Sequence, residues 1–245
     1  MNSTIENMLQ HVSVRDFKNE SISNENKNAL LLAAQSGSTS EFVQAFSIIE
    51  ITNPQLRKEI ADITISSPHV KKAETFYIFV ADLNRQATIL KRNKQNLDGI
   101  KNMESLLVAT VDTTIAAQNM AIAAESMGLG ICYIGSIRNN IKQVANLLNL
   151  PKFTFPLFGM TVGVPNIKNQ HKPRLFTQNQ VATNSYDNQT FNDLSNYDEE
   201  VKNYYLNRKS HPQDTTWTDK NLTMFDHVHR PEVASFLNEQ GFSLK

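Results

Sequence analysis

Cysteine is almost absent from the chain. The single thiol, Cys132, excludes an intrachain disulfide framework, a CxxC redox centre and a cysteine-based zinc site. An excess of charge is also missing. The 24 basic residues face 24 acidic ones, which argues against a broad nucleic-acid surface or a polybasic membrane face. The N-terminal residues hold no apolar core flanked by basic residues, so no signal peptide is expected. The longest apolar-leaning run, residues 106–127, is broken by Asp112, Gln118, Asn119 and Glu125, and reads as a buried helix rather than a membrane span. The expectation is a cytoplasmic chain with no nucleic-acid or membrane partner.

Glycine is scarce, with eight residues, and does not form the usual nucleotide motifs. Gly128-Leu129-Gly130 has Tyr133 where the dinucleotide fingerprint needs its third glycine, and it closes a helix instead of opening one. No phosphate-binding GxxxxGK[ST] run and no GxSxG elbow occur. His227 and His229 form the one close histidine pair, but no third ligand stands at metal spacing, so no metal site is expected.

What is present is an alternation of strands and helices. Residues 75–81 are continuously apolar, aromatic and β-branched, as a central strand should be. Further strands are expected over 46–51, 131–135 and 155–164. Helices are expected over 4–9 with Ser3 or Thr4 as cap, over 23–36 with Leu30, Leu31, Ala33 and Ala34 inward, and over 54–63 behind Pro54. A charged helix should begin at Leu83, a long one should run to Met127 and stop at Gly128, and others should cover 139–148, 193–208 and 231–241. Residues 165–184 read as a polar loop. The C-terminal third looks too polar for a core of its own, with Trp217 and Phe225 packing it. Cys132 reads as inert core, and Met120 and Met127 as core or subunit interface. The sum is an α+β or α/β layered fold.

Two polar constellations stand out. In an extended segment His11, Ser13 and Arg15 project to one side, presenting an imidazole, a hydroxyl and a guanidinium that suit a phosphate or a polyol chain. They equally fit a solvent-facing strand in which Arg15 pairs with Asp16 or Glu20. Lys172-Pro173-Arg174 directs two cations the same way, as either half of a phosphate cage or an ordinary basic loop. The hydroxyl loop Ser38, Thr39, Ser40 and the Gly135-Ser136 turn would complete a cradle for a planar, phosphorylated ligand.

The segments HVSVRDF, AAQSGSTSEFVQAFSIIEI, AIAAESMGLGICYIGSIRNN, FPLFGMTVGVP and KPRL resemble the nitroreductase family, in its NADPH-dependent nitroreductase and flavin reductase P branch. YDEEVKNYYLNRKS and PEVASFLNEQGF extend the similarity over almost the whole chain. The resemblance implies a nitroreductase-like α+β fold: a central, mostly antiparallel sheet flanked by helices, in a domain-swapped homodimer with a helical C-terminal excursion. Residues 1–165 would form the FMN-binding core, and 166–245 the phosphate loop and dimer-wrapping excursion.

FMN is the implied cofactor. His11, Ser13, Arg15, Lys172 and Arg174 would hold its phosphate and ribityl chain. Ser38, Thr39, Ser40 and Gln44, further along a helix or strand, would lie near the isoalloxazine. Tyr133, Ile134, Gly135 and Ser136 would bring main-chain N–H groups to its N5 and O4 edge. Ser67 stands where most close relatives place a glutamine. Arg208 matches the first of two arginines for the NADPH 2′-phosphate, while the second falls at Gln213, leaving Lys209 as its substitute. The implied reaction is two-electron, ping-pong transfer from NAD(P)H, with NADPH favoured, to a nitroaromatic, quinone or free flavin. No catalytic side chain is called for. A flavin-binding sensor or carrier, or an oxidase or disulfide reductase, is the alternative.

Overall fold

The computed structural model describes residues 1–243; residues 244 and 245, the end of the expected excursion, lie outside the described residues. In chain order the regular elements begin with α1 (Ser3–Leu9), β1 (Asp16–Phe17), α2 (Asn24–Gln35), β2 (Phe46–Glu50), α3 (Pro54–Ile63) and α4 (Ser67–Lys72). Then come β3 (Thr75–Asp82), α5 (Asn84–Arg92), α6 (Asp98–Lys101), α7 (Met103–Ser126), β4 (Gly130–Ile134), α8 (Ile141–Leu147), β5 (Thr154–Gly163) and β6 (Pro165–Ile167). The last four are α9 (Asn188–Asn192), α10 (Ser195–Asn207), α11 (Trp217–Phe225) and α12 (Glu232–Gln240). By contacts the chain divides into two compact units, one of residues 1–169 and 230–245, the other of residues 170–229.

The first unit is built on an antiparallel sheet of order β2-β3-β5-β4. Every residue of β3 is buried, which is why its sequence does not alternate. Gly159 of β5 lies opposite Ile78, and a Cβ there would come within 2.5 Å of the Phe76 ring. Glycine is what lets that buried ring cross the strand. Against the sheet lies α7, with Leu106, Ala109, Ala116, Ala117, Met120, Ala121 and Ala124 inward. By length and composition α7 is apolar enough to cross a membrane, but here its inward face is core.

The helix starts earlier than the apolar run suggests because Asn102 caps it, accepting the Ser105 N–H at 2.9 Å. It ends where Gly128 takes a φ of 77°.

Several expectations need correction. The cap of α1 is Asn2, not Ser3 or Thr4. In α2 Leu30 and Ala34 are buried, while Leu31 and Ala33 are only partly so. The helix expected from residue 139 begins at Ile141, since Gly135–Asn140 forms a 3-10 turn and Asn140 caps α8. The polar loop after residue 165 opens with β6, which pairs with β1 as a separate two-stranded ribbon. Short helices α4, α6, α9 and α11 carry too little periodicity to be read from sequence.

The unit of residues 170–229 has a core after all. Tyr197, Val201 and Tyr205 recur along one face of α10, and Leu175, Phe176 and Trp217 pack against them. Tyr197 meets the rings of Phe176 and Trp217 edge-on, at 5.8 and 5.9 Å. The overall polarity of this stretch conceals three well-spaced apolar positions. Trp217 packs as expected; Phe225 is exposed. The last helix, α12, belongs to the first unit, where Phe236 packs on Phe155 and Phe242 on Phe153.

Candidate functional site

The arm of residues 11–15 is fastened from below. Val14 is buried, and its N–H donates to Ile131 O at 2.8 Å on β4. A Cβ at Gly130 would sit 2.5 Å from Val14, so this glycine is what lets the arm lie against the strand. With Val14 inward, Ser13 and Arg15 turn to the other side. Ser13 O accepts from Asn169 Nδ2 at 2.7 Å. His11 Nδ1 and Glu125 Oε1, at the end of α7, are 2.6 Å apart, which leaves the other ring nitrogen uncommitted.

The alternative pairing for Arg15 is not found. Asp16 binds Lys72 and Asn166, and Glu20 binds Lys18. The Arg15 guanidinium lies beside Cys132 instead, and its charge reaches His69. Burial pushes the Cys132 thiol up, partly offset by Arg15, consistent with an inert thiol. Burial, reinforced by the Arg15 charge, pushes the His69 imidazole down. His69 and Ser67 share α4, so the Arg15 charge is felt on the Ser67 helix.

The hydroxyl loop is the most constrained main chain in the unit. Glu41, Phe42 and Gln44 all have positive φ, at 46, 57 and 50°, although none is glycine. Gln44 lies in neither a helix nor a strand, contrary to expectation, because the 3-10 turn ends at Phe42 and β2 begins at Phe46. The strain is held by clamps from outside the loop. Asp112, only 1% exposed on α7, accepts the Ser40 N–H on one carboxylate oxygen and the Ala45 N–H on the other, both at 3.0 Å. Gln86 donates to Val43 O at 2.7 Å, and Arg85 to Gln44 O at 3.1 Å. The Thr39 hydroxyl is buried without a hydrogen-bond partner.

At the end of β4, Tyr133 OH donates to Gln118 at 3.2 Å; burial raises its phenol strongly, helped by the Glu125 charge. Ile134 is buried and ends the strand. Ser136 is 6% exposed, and its hydroxyl also lacks a partner. Beside Gly135 runs the Arg138 guanidinium, which donates to Leu157 O. Its pKa is depressed by burial and then by the nearby charge of Arg230. Arg230 in turn donates to Asn139 at 3.1 Å.

The other unit holds the remaining predicted residues. Pro173 O accepts from Tyr197 OH at 3.0 Å, which fixes the turn between Lys172 and Arg174. Lys172 lies over the Tyr205 ring, and so does Arg208. Lys209 is anchored by its main-chain N–H to Gln170 Oε1. The His227 and His229 rings lie 4.1 Å apart, tilted by 56°, and no cluster of metal-ligating residues occurs among the described residues.

A family model described as the nitroreductase family matches residues 8–164, and one described as its C-terminal domain matches residues 172–245. The oxygen-insensitive NADPH nitroreductase of Salmonella typhimurium is 39% identical over 100% of both chains. The protein named FMN reductase (NADPH) in Bacillus subtilis is 37% identical over 99% of each. The solved NfrA1 nitroreductase of B. subtilis matches with a TM-score of 0.93 at 36% identity, covering 98% of this chain and 99% of that one. The chain belongs to the nitroreductase family.

Within this nitroreductase His11 is joined to α7 through Glu125, and Arg15 lies by Cys132 of β4. The hydroxyl loop is tied to the same long helix through Asp112. Three features escaped sequence reading. Asp112 and Glu125 registered only as interruptions of an apolar run. The Arg138–Arg230 pair joins positions too far apart in sequence to suggest each other. His69, which feels the Arg15 charge, lies on a helix too short to predict.

Proposed function

We propose that this nitroreductase is an FMN-dependent oxidoreductase that takes electrons from NADPH and passes them, two at a time, to a nitroaromatic, a quinone or free flavin. What carries the reading is a set of uncommitted hydrogen-bonding groups in the predicted flavin segments. Arg15 forms no ion pair among the described residues, His11 has one free ring nitrogen, and the hydroxyls of Thr39 and Ser136 lack partners. Such groups favour a polar, anionic ligand that completes them. The names of the full-length relatives, an FMN reductase and an NADPH nitroreductase, point the same way.

FMN, when bound, would supply two-electron transfer between nicotinamide and acceptor. His11, Ser13, Arg15, Lys172 and Arg174 would hold its phosphate and ribityl chain. Ser38, Thr39, Ser40 and Gln44 would border the ring, with Tyr133, Ile134, Gly135 and Ser136 along its edge. Positive charge and main-chain N–H donors at the ring edge would stabilise the reduced, anionic ring. Ser67 is shorter than the glutamine usual at its position, so either a water bridges it to the ring or that contact is lost. Residues 1–165 would act as the cofactor core and 166–245 as the excursion of the same functional domain.

The working form is proposed to be a cytoplasmic homodimer. Met103, Leu107 and Val111 recur every four residues along α7 and are exposed, as is Leu32 on the neighbouring α2. An apolar stripe on the outer face of a core helix favours a second copy as its cover. The test is purification without added flavin, followed by an assay with a nitrofuran and a quinone. A yellow protein that oxidises NADPH with either acceptor supports the proposal. A colourless protein that takes up no FMN refutes it.

A further inference from the structure

A cleft of about 450 Å³ lies between α8 and α12 in the first unit. None of the residues lining it belongs to the segments predicted to hold the flavin or the nicotinamide nucleotide. Its volume falls in the range of small-molecule pockets, roughly 300–1,000 Å³. Leu150, Pro151 and Phe236 form an apolar side. Phe236 is 3% exposed and packed on Phe155, so this wall is fixed by the core behind it.

The polar side carries a surplus of positive charge. Two ammonium groups, Lys142 and Lys152, face one carboxylate, Glu239. Lys142 Nζ donates to Glu239 Oε1 at 2.6 Å, whereas Lys152 Nζ has only the main-chain oxygen of the same residue. The carbonyls that end α12 are not left free to repel an anion, because each has a donor. Leu237 O accepts from the Phe242 N–H, Asn238 O from Gly241, Glu239 O from Lys152 and Gln240 O from Phe153.

Gln240 supplies the remaining feature. It lines the cleft and is 8% exposed, and its side-chain oxygen has no hydrogen-bond partner. Its main chain is pinned, since Gln240 O holds the Phe153 N–H at 2.9 Å and Gly241 follows with a φ of 106°. A buried acceptor without a partner calls for a donor. Water would supply one but leave the apolar wall uncovered. A ligand with a donor on a flat apolar body answers both needs.

We propose that this cleft binds a small aromatic carboxylate that also carries a hydroxyl or N–H group. The carboxylate pairs with Lys152, the ring lies against Leu150, Pro151 and Phe236, and the donor meets Gln240. The site does not depend on the flavin reading.

The probes are 4-hydroxyphenylacetate, phenylacetate, which lacks the donor, and 4-hydroxyphenylacetamide, which lacks the charge. Each is titrated into the purified full-length protein, followed by amide chemical shifts and by flavin absorption. 4-Hydroxyphenylacetate should saturate one site per chain and shift amides of α8 and α12, while the flavin band stays unchanged. Phenylacetate and the amide should each bind about tenfold more weakly. Lys152→Gln should weaken the acid about tenfold and leave the amide as it was, and Gln240→Leu should abolish the advantage of the hydroxyl. The probe series on the parent protein decides the matter by itself if Gln240→Leu does not fold.

No saturation by 4-hydroxyphenylacetate up to about ten millimolar would overturn the proposal. Equal affinity for the acid and its amide would do so as well. Binding that shifts the flavin band but no amide of α8 or α12 would place the acid at the flavin and equally refute the cleft.

Discussion

Replacing Asp112 by asparagine keeps the shape of the side chain and removes one of its two acceptors. In the parent, one oxygen takes the Ser40 N–H and the other the Ala45 N–H, each at 3.0 Å. The carboxylate is 1% exposed, so water does not replace what is lost. An amide can still accept one of these bonds, but its NH2 then faces the other N–H. A hydrogen bond to a charged group contributes about 1.5–3 kcal/mol, and a buried N–H left unpaired costs a similar amount. Relief from burying a charge offsets part of this.

A net loss of about 2 kcal/mol is therefore expected for Asp112→Asn, and about 4 kcal/mol for Asp112→Ala, where both N–H groups lose their partner. At roughly 2–4 °C per kcal/mol for a chain of this size, the asparagine variant should melt about 4–8 °C lower. Differential scanning calorimetry gives the melting temperature. Amide hydrogen exchange shows whether the loss is local, with Ser40 and Ala45 exchanging faster while amides in the middle of β3 keep their relative protection. A variant that melts within about 1 °C of the parent, with unchanged exchange at Ser40 and Ala45, would refute the view that Asp112 holds the strained loop.

The other expectations follow from single contacts. Glu125→Gln weakens the orientation of His11, so FMN should bind about tenfold more weakly while riboflavin, which has no phosphate, is little affected; equal losses for both would contradict it. Gly159→Ala should cost about 1–3 kcal/mol in chemical denaturation, because its Cβ would meet the buried Phe76 ring at 2.5 Å, and a neutral result would show that the ring has room to move. His69 has a pKa depressed by burial and by Arg15, so its folded form takes up a proton less readily than the unfolded chain. Its contribution to stability is present above its ordinary pKa of 6.5 and lost as pH falls below it, so the melting temperature of His69→Gln should decline less than the parent's on acidification.

The elements legible in the sequence are those whose cause is local. β3 is unbroken because both its faces are covered, and α3 runs from Pro54 to Ile63 because proline opens it and its apolar spacing is helical. The end of α7 is written in Gly128. What escaped is held from a distance. The loop at residues 40–45 contains no glycine, yet takes positive φ at Glu41, Phe42 and Gln44 because Asp112, Arg85 and Gln86 clamp it from other elements. No local pattern announces such a turn. The core of residues 170–229 was hidden because Tyr197, Val201 and Tyr205 are diluted by polar neighbours. The motif residues His11, Ser13, Arg15 and Lys172 could be named from sequence, but Glu125, which holds the His11 ring at 2.6 Å, could not.

The most direct test of the central claim is an anaerobic titration of the purified protein, followed in the visible flavin band. The account predicts a protein carrying about one FMN per chain, bleached by about one equivalent of NADPH and restored by adding a quinone. A flavin band that persists through an excess of NADPH, or a protein with no flavin band after incubation with FMN, would contradict it.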